Sequence, residues 1–392
     1  MSFLMTLPVW DWLLSFGQTV FWAVAVLGAL IFVHELGHHL AAKKLGIGVT
    51  TFSLGFGRKL WAFQRGETEY RVSLVPLGGY VKLVGEDPEA GAEPPKEPGK
   101  SFHLRPVSHR LLVIAAGPAA NILAALVLSW LLHMMGIPIP GTWVGGVLPN
   151  SPAAAAGLRA GDHIAAIDGT PVRKWGDLVE IVRGKAGQRL ALQVERSGRR
   201  LMLPITPTSK GEDGKELGYG RIGISIGAGI VTERHGPVDA MGQSVLQNYR
   251  IAHLTVVSLY AMIARIIPAD IGGPIRISVV AAEQAQRGLR YLIMFTILLS
   301  VNLAILNLLP IPILDGGHIL FLLIEALRGR PLSLRVRETA MQVGTVLLIA
   351  LMIFATYKDS VYYLLRRDGE PAGQQEMKPP PRQQKPAPAG ER

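Results

Sequence analysis

The chain has 392 residues, of which 49% are hydrophobic, and a mean hydropathy of +0.30; these values favour an integral membrane protein with a substantial soluble part. It contains no cysteine, which excludes disulfide bonds and thiolate catalysis and leaves His, Asp and Glu as candidate metal ligands. The net charge of +11 and the pI near 9.9 accompany long hydrophobic runs, so they favour contact with lipid headgroups over contact with nucleic acid.

The first predicted element is a transmembrane helix within residues 1–45. Residues 12–33 carry no charged side chain, and a helix needs about 20 apolar residues to cross a bilayer.

The end of this helix carries the pattern H-E-x-x-H as His34, Glu35 and His38. On a helix, the two histidines lie one turn apart on one face, where they can bind one Zn²⁺ while Glu35 acts on a water molecule beside it. The pattern also occurs by chance on ordinary helices. At the end of a membrane span, however, ionisable side chains usually pair, bind a ligand or line a cavity. The motif therefore predicts a zinc site in the membrane, with His39 as a polar neighbour that is not a ligand.

Residues 46–107 are predicted to form a membrane-associated β region followed by a linker. Apolar residues alternate with smaller or polar ones at Phe52, Leu54 and Phe56 and again within residues 70–74, a spacing typical of strands and hairpins. Two interpretations remain open. The sheet could lie in the membrane interface beside the zinc site, where an exposed edge could pair with an unwound substrate, or it could be a small cytoplasmic hairpin that does not contact substrate.

Residues 108–136 are predicted to form the second transmembrane helix. Gly117-Pro118 predicts a kink or a local break in it. Asn121 follows one turn later and is predicted to hydrogen-bond a neighbouring helix, with contact to substrate as the alternative.

Residues 141–208 are Gly-rich and short-stranded, and the order of their strands and single helix resembles a PDZ domain of the bacterial protease type. The resemblance implies a groove that binds an extended peptide or a protein tail; a size filter above the membrane site is the alternative. Residues 209–288 are predicted to form a linker and helices on the membrane surface. An additional span within residues 251–267 remains open.

Residues 289–327 are predicted to form the third transmembrane helix, which carries Asn307 and a Pro-rich turn leading to Asp315. H-E-x-x-H supplies two ligands, whereas catalytic zinc usually takes three from the protein. Asp315 is therefore predicted as the third ligand, with Glu325 and Asp270 as alternatives. The other role open to Asp315 is that of a helix N-cap.

A fourth transmembrane helix is predicted at residues 338–366, and the tail at 367–392, rich in Pro, Gln, Lys and Gly, is predicted to be disordered. Lys and Arg follow the first span, precede the second and separate the third from the fourth. The positive-inside rule then places both termini and the PDZ-like domain outside the cytoplasm. The predicted fold is a multi-span α-helical membrane protein with about four transmembrane helices, a membrane-associated β region and an inserted PDZ-like α+β domain.

The chain is similar to the site-2 proteases in the order of four features: H-E-L-G-H at 34–38, A-G-P-A-A-N at 116–121, the PDZ-like domain, and the Asn-to-Leu-Asp-Gly stretch at 307–317. The similarity extends over nearly the whole chain to about residue 360. It implies an intramembrane zinc metalloprotease of the bacterial inner membrane, with His34, His38 and Asp315 as zinc ligands. It also implies that Glu35 is the catalytic glutamate and that Asn307 holds the substrate backbone.

The resemblance further implies that the substrates are single-span membrane proteins. In the family these are anti-sigma factors of the envelope stress response, cut beforehand by another protease, and in some members remnant signal peptides. The chain departs from the best-known sigma-E regulators of the family, because it carries one PDZ-like domain where they carry two.

Two other classes of protein fit parts of the sequence. A non-enzymatic membrane adaptor with a degenerate protease core would be expected to lack a ligand or the glutamate, and all four residues are present. A metal transporter could use His34, His38 and Asp315, but that function explains neither Glu35 nor the PDZ-like domain. The predicted function is a zinc metalloendopeptidase that cuts in or near the transmembrane segments of its substrates.

Overall fold

The computed structural model describes residues 9–86, 98–211, 215–266 and 272–366. Within these ranges, four helices are long and apolar enough to cross a membrane: Leu14–Lys44, Val107–Met135, Leu289–Asn307 and Leu334–Tyr363. Each of them overlaps one of the four predicted spans, so the multi-span helical architecture is confirmed. The tail predicted to be disordered, residues 367–392, lies outside the described residues.

Helices and strands alternate in blocks along the chain. The helices of the described residues are α1 (Val9–Lys44), α2 (Val107–Met135), α3 (Pro152–Ala155), α4 (Trp175–Gly184), α5 (Pro237–Ile263), α6 (Pro274–Arg287), α7 (Leu289–Asn307), α8 (Asp315–Arg328) and α9 (Leu334–Arg366). The strands are β1 (Val49–Arg65), β2 (Thr68–Leu83), β3 (Ile137–Pro140), β4 (Val144–Val147), β5 (His163–Ile167), β6 (Thr170–Pro171), β7 (Leu190–Arg196), β8 (Arg199–Ile205), β9 (Thr208–Lys210), β10 (Glu216–Arg221), β11 (Ile224–Ile226) and β12 (Ile230–Glu233).

Helices α1 and α2 cross closely because a glycine of one meets alanines of the other. A Cβ placed on Gly37 would lie 2.7 Å from the Cβ of Ala120 and would collide with the carbonyl oxygen of Ala116. Small residues at such a crossing let two helix backbones approach each other in a membrane. Helix α2 also contacts α5, α7 and α8, so it is the central helix of the bundle.

Strands β1 and β2 are long antiparallel partners that fold back on themselves. Residues 51–54 of β1 pair with 79–82 of β2 on one side and with 69–72 on the other, and 61–65 pair with 68–72. Residues 79–82 are therefore an outer segment of the folded sheet. Both strands contact α1, and the β region predicted from the sequence is confirmed.

The PDZ-like domain has its own hydrophobic core beneath a four-stranded sheet of order β6-β5-β7-β8. Its strands continue past residue 208, where the domain was predicted to end: β11 pairs with β4, and β12 pairs with β3. Ile222 is buried in the same core. The segment predicted as a linker from residue 209 therefore contributes to this domain as far as Glu233. Repeated glycines between residues 218 and 229 interrupt the apolar alternation that would have revealed these strands.

Helix α5, in the region predicted to contain membrane-surface helices, packs along α2 and α7. Ser244 Oγ donates to the Leu126 carbonyl at 2.8 Å, and Thr255 Oγ1 donates to Asn302 Oδ1 at 2.6 Å. Apolar side chains occupy the exposed face of α5, where Val238 and Ile263 are 85% and 82% exposed. Polar residues of α5 thus face two span-length helices while its apolar residues face outward.

Helix α7 ends at Asn307 and α8 begins at Asp315, so the predicted third span consists of two helices joined by a turn that contains Pro310 and Pro312. A Cβ on Gly316 would collide with the carbonyl oxygens of Leu308 and Leu309. This turn therefore needs a glycine at position 316, and it directs the start of α8 back toward α1.

Helix α9 is anchored to α6 through Asp359. The carboxylate is 3% exposed and accepts hydrogen bonds from the backbone N–H groups of Gly273, at 3.0 Å, and Arg276, at 2.8 Å. Since these groups lie at the positive N-terminal end of α6, the carboxylate is well placed for the helix dipole.

Candidate active site

Helix α1 presents His34 and His38 on one face, as the helical spacing requires. Their Nε2 atoms lie 3.2 Å apart, and both rings are largely buried. Residue His39 lies elsewhere on the helix, where its Nε2 is 3.2 Å from the Tyr70 hydroxyl and its ring packs against Phe52. The structure therefore separates the two motif histidines from their neighbour, in agreement with the prediction for His39.

The start of α8 brings Asp315 to these two histidines. Asp315 Oδ2 lies 3.0 Å from His34 Nε2, and Oδ1 lies 3.5 Å from His38 Nε2. The N-cap position of α8 is Leu314, so the carboxylate of Asp315 is directed at the histidines and does not cap the helix. The proline turn before α8 thus directs Asp315 toward the two histidines.

These three side chains offer ligand atoms that all lie within 4.8 Å of one another. His38 Nδ1–H donates to the Val113 carbonyl at 2.8 Å, which leaves the lone pair of its Nε2 facing His34 Nε2 and the carboxylate. Asp315 Oδ2 accepts no hydrogen bond from the described residues although it is buried. Facing lone pairs and an unsatisfied carboxylate oxygen are stabilised when a cation lies between them. The donor set of two imidazoles and one carboxylate fits Zn²⁺, since catalytic zinc sites commonly use three such ligands.

The alternative third ligands are not in this group. The carboxylate of Glu325 is engaged by Arg110, with Oε1 2.5 Å from Nη2 and Oε2 3.1 Å from Nη1. Asp270 lies outside the described residues.

Glu35 lies between the histidines and the outer segment of the sheet. A Cβ on Gly79 would lie 2.9 Å from Glu35 Cγ, and Val81 lines the same cavity as Glu35. The absence of a side chain at residue 79 therefore makes room for Glu35 at the site. The sheet therefore lies beside Glu35, as the first of the two interpretations of the β region expects.

A cavity of about 630 Å³ contains the site. The sheet contributes Gly78–Val81 to its wall, and α7 contributes Asn307, whose Nδ2 lies 3.4 Å from His34 Nε2. Helix α9 supplies part of the opposite lining with Met341 and Leu348. All five residues singled out from the sequence, namely His34, Glu35, His38, Asn307 and Asp315, line this one cavity.

Sequence reasoning missed several features of the cavity. His318 on α8 and Arg337 on α9 also line it, and one signal for His318 was its position one turn after Asp315. The group that accepts the hydrogen bond from His38 is the backbone carbonyl of Val113, and a backbone carbonyl cannot be recognised from the residue type. Gly117 makes room for the two rings, since a Cβ there would lie 2.6 Å from His38 Cε1 and 2.8 Å from His34 Cε1; the sequence pointed to this residue only through the Gly-Pro pair.

Known proteins resemble the chain over most of its length. A model of peptidase family M50 matches residues 22–351. The regulator of sigma-E protease RseP of Escherichia coli (strain K12) is 32% identical over 443 residues, which covers 86% of this chain and 97% of that protein. A Rhizobium meliloti (strain 1021) protein named as a zinc metalloprotease is 35% identical over 352 residues, covering 85% of this chain and 94% of that protein. A crystal structure of the PDZ domain of an SdrC-like protein from Listeria monocytogenes aligns with 22% of this chain and 87% of that one, with 25% identity and a TM-score of 0.20.

The matched range includes the H-E-x-x-H helix, the PDZ-like domain and Asp315. The family and the names of the relatives imply Zn²⁺ as the cofactor, in agreement with the donor set described above. The chain therefore belongs to peptidase family M50 and is a membrane-embedded zinc metalloprotease of the site-2 type.

Proposed function

We propose that this protease hydrolyses peptide bonds in or near the transmembrane segments of single-span membrane proteins. His34, His38 and Asp315 hold the zinc ion, Glu35 is the general base, and Asn307 holds the substrate backbone. The observation that carries this assignment is the meeting of all five side chains in one cavity between span-length helices.

Each protein group has a distinct task in the hydrolysis. Bound zinc supplies a Lewis acid that polarises the scissile carbonyl and acidifies a water molecule, whose pKa approaches about 7. The Glu35 carboxylate accepts the proton of that water and donates it to the leaving nitrogen. The Asn307 amide donates a hydrogen bond to a substrate carbonyl. Helix α1 fixes the positions of the two histidines, and the start of α8 fixes the position of Asp315. This arrangement favours a preorganised site.

The outer segment of the sheet is suited to hold an unwound substrate. A helical substrate hides its carbonyls in its own hydrogen bonds, so it must become extended before cleavage. Residues 79–82 pair with 51–54 on one side, and Gly78–Val81 line the cavity beside Glu35. An extended substrate can add to this edge as a further strand, with its scissile bond near the glutamate.

The distribution of Lys and Arg supports an inner-membrane orientation with the PDZ-like domain on the periplasmic side. Relatives named regulator of sigma-E protease support an anti-sigma factor, cut first by another protease, as the substrate in an envelope stress response. Remnant signal peptides are a second substrate of the same chemical kind. The PDZ-like domain binds a peptide or protein tail or limits the size of what reaches the cavity.

Cleavage of a truncated single-span substrate, in detergent or vesicles, tests the function. The parent chain is compared with Glu35→Gln and Asp315→Ala. The control is Glu195→Gln, because the Glu195 side chain on β7 is partly exposed and lies in the PDZ-like domain. Zinc content is measured on every preparation. We expect the parent and the control to cleave, Glu35→Gln to keep zinc without cleaving, and Asp315→Ala to lose zinc. Cleavage by Glu35→Gln, or a parent without zinc, would overturn the assignment.

A further inference from the structure

One face of α2 forms the wall behind the two histidines. Val113, Gly117 and Asn121 are spaced one turn apart, so they lie on the same face of the helix. The Val113 carbonyl accepts the Nδ1–H of His38 at 2.8 Å, and the bare Cα of Gly117 makes room for both rings. The first two positions of this face thus serve the metal site.

The third position of this face is Asn121, and its side-chain amide lies beside His34. Asn121 is fully buried, and its Nδ2 lies 3.3 Å from His34 Nδ1. Its Oδ1 finds no hydrogen-bond partner among the described residues. The backbone at this position is fixed from α7, because Ser300 Oγ donates to the Asn121 carbonyl at 2.8 Å.

The chemistry of a histidine ligand decides how this amide should be oriented. A ligand that binds metal through Nε2 carries its proton on Nδ1, and that N–H needs an acceptor. The two ends of a side-chain amide are nearly indistinguishable in shape. Turning the amide places Oδ1 at His34 Nδ1, which satisfies both the buried oxygen and the N–H.

We propose that Asn121 is a positioning residue for the zinc ligand His34, a role that rests on the proposed zinc centre. Its Oδ1 accepts the Nδ1–H of His34, fixes the tautomer and directs Nε2 toward Asp315. The two histidines then have matching supports on one face of α2: a backbone carbonyl for His38 and a side-chain carbonyl for His34.

Zinc affinity of the full-length protein in detergent tests this role, measured by competition with a chromophoric chelator. Asn121→Leu removes the acceptor and Asn121→Asp keeps one. Asn302→Leu is the matched control, because it removes a similar amide that pairs with Thr255 on α5. The unfolding temperature of the metal-free form reports on folding independently of the metal. If Asn121→Leu does not fold, Asn121→Ala replaces it.

We expect Asn121→Leu to bind zinc about 10- to 100-fold more weakly, and we expect Asn121→Asp and Asn302→Leu to stay close to the parent. The metal-free unfolding temperature of the folded acceptor-free variant should remain near that of the parent. Parent-like affinity in Asn121→Leu would overturn the positioning role while leaving the zinc centre intact. Affinity in Asn121→Asp as weak as in Asn121→Leu would also overturn it, because an acceptor alone would not suffice. A parent that binds no zinc would instead overturn the zinc centre.

Discussion

Arg110 of α2 and Glu325 of α8 form a two-point ion pair, with Nη2–Oε1 and Nη1–Oε2 distances of 2.5 and 3.1 Å. Both side chains are largely buried, with exposed fractions of 7% and 16%. The pair ties the helix that begins at Asp315 to α2, on the same face of α2 that lies behind the two histidines. It therefore couples the position of the Asp315 carboxylate to the positions of His34 and His38.

Breaking this pair from one side should cost far more than replacing both partners. Arg110→Met or Glu325→Leu alone leaves one buried charge without its partner, and we expect each to lower the free energy of unfolding by about 3–5 kcal/mol. The double variant should recover most of that loss, since an apolar pair of similar volume is often tolerated. Thermal unfolding and zinc content in detergent measure both effects. A double variant with the summed loss of the two single variants would contradict this coupling.

Gly79 should be essential for the position of the general base. A Cβ there would lie 2.9 Å from Glu35 Cγ and 2.9 Å from the Ser53 carbonyl oxygen. We expect Gly79→Ala to retain zinc and to lower kcat/KM about 100-fold, the effect of a displacement of about 1 Å in an active site. Gly28→Ala on α1 is the control, because its Cβ would meet no described atom within 4 Å. Parent-level cleavage by Gly79→Ala would show that Glu35 does not depend on this contact.

Asp359 should hold α9 against the start of α6. Asp359→Ala leaves two buried backbone N–H groups without an acceptor, so we expect a loss of about 1–3 kcal/mol in stability. Asp359→Asn keeps one amide oxygen and should lose less. Hydrogen exchange in the first turn of α6, together with thermal unfolding, distinguishes the variants. Ser360→Ala is the control, since the Ser360 hydroxyl donates to the Thr356 carbonyl of its own helix. Equal exchange in all three variants would argue against an anchor.

The PDZ-like domain should lose stability in acid through Asp162. Burial alone would raise the pKa of this carboxyl group. The hydrogen bonds from Arg196, at 2.7 and 2.8 Å, and from the Arg159 backbone N–H, at 2.8 Å, together with the charges of both arginines, outweigh burial and lower the pKa. A lowered folded-state pKa stabilises the domain above the ordinary Asp value of about 3.9. That contribution disappears as the pH falls through the folded-state value.

Hydrogen exchange of β5 and β7 in the full-length protein, corrected for intrinsic rates, measures this effect. We expect the opening free energy of the parent to fall below about pH 4. We expect Asp162→Asn to be about 1.5–3 kcal/mol less stable at neutral pH and to show little of this acid dependence. Asp168→Asn, at an exposed pair with Lys185, should have a smaller effect. An acid dependence in Asp162→Asn equal to that of the parent would assign the loss to another group.

The sequence predicted the membrane spans and the site because both depend on strong local signals. Long apolar runs identified the four spans, and H-E-x-x-H with a Pro-rich turn before Asp315 indicated how three ligands could meet. The boundaries of the PDZ-like domain were harder to predict from the sequence. Strands β11 and β12 are short and pair with segments about 80 to 90 residues earlier, so neither local alternation nor spacing could reveal them.

The position of α5 could not be predicted for a different reason. Its apolar face and scattered polar residues fit a helix on a membrane surface as well as one packed against other helices. Its packing against α2 and α7 depends on tertiary partners such as Asn302 and the Leu126 carbonyl, which the sequence pattern does not specify. The fold of β1 and β2, in which residues 51–54 have neighbours on both sides, likewise depends on contacts that alternation does not specify.

The pairing of β3 with β12 has a consequence for how such proteases diversify. These strands are the first and last of the PDZ-like domain, and they pair from Ile137 with Glu233 to Pro140 with Ile230. Trp130 of α2 also donates to the carbonyl of Pro237, the first residue of α5. The two ends of the PDZ-like domain therefore lie side by side where they join helices α2 and α5. Extra copies can be gained or lost at this junction during evolution without redirecting any membrane helix, so the PDZ-like domain can change while the catalytic cavity stays the same.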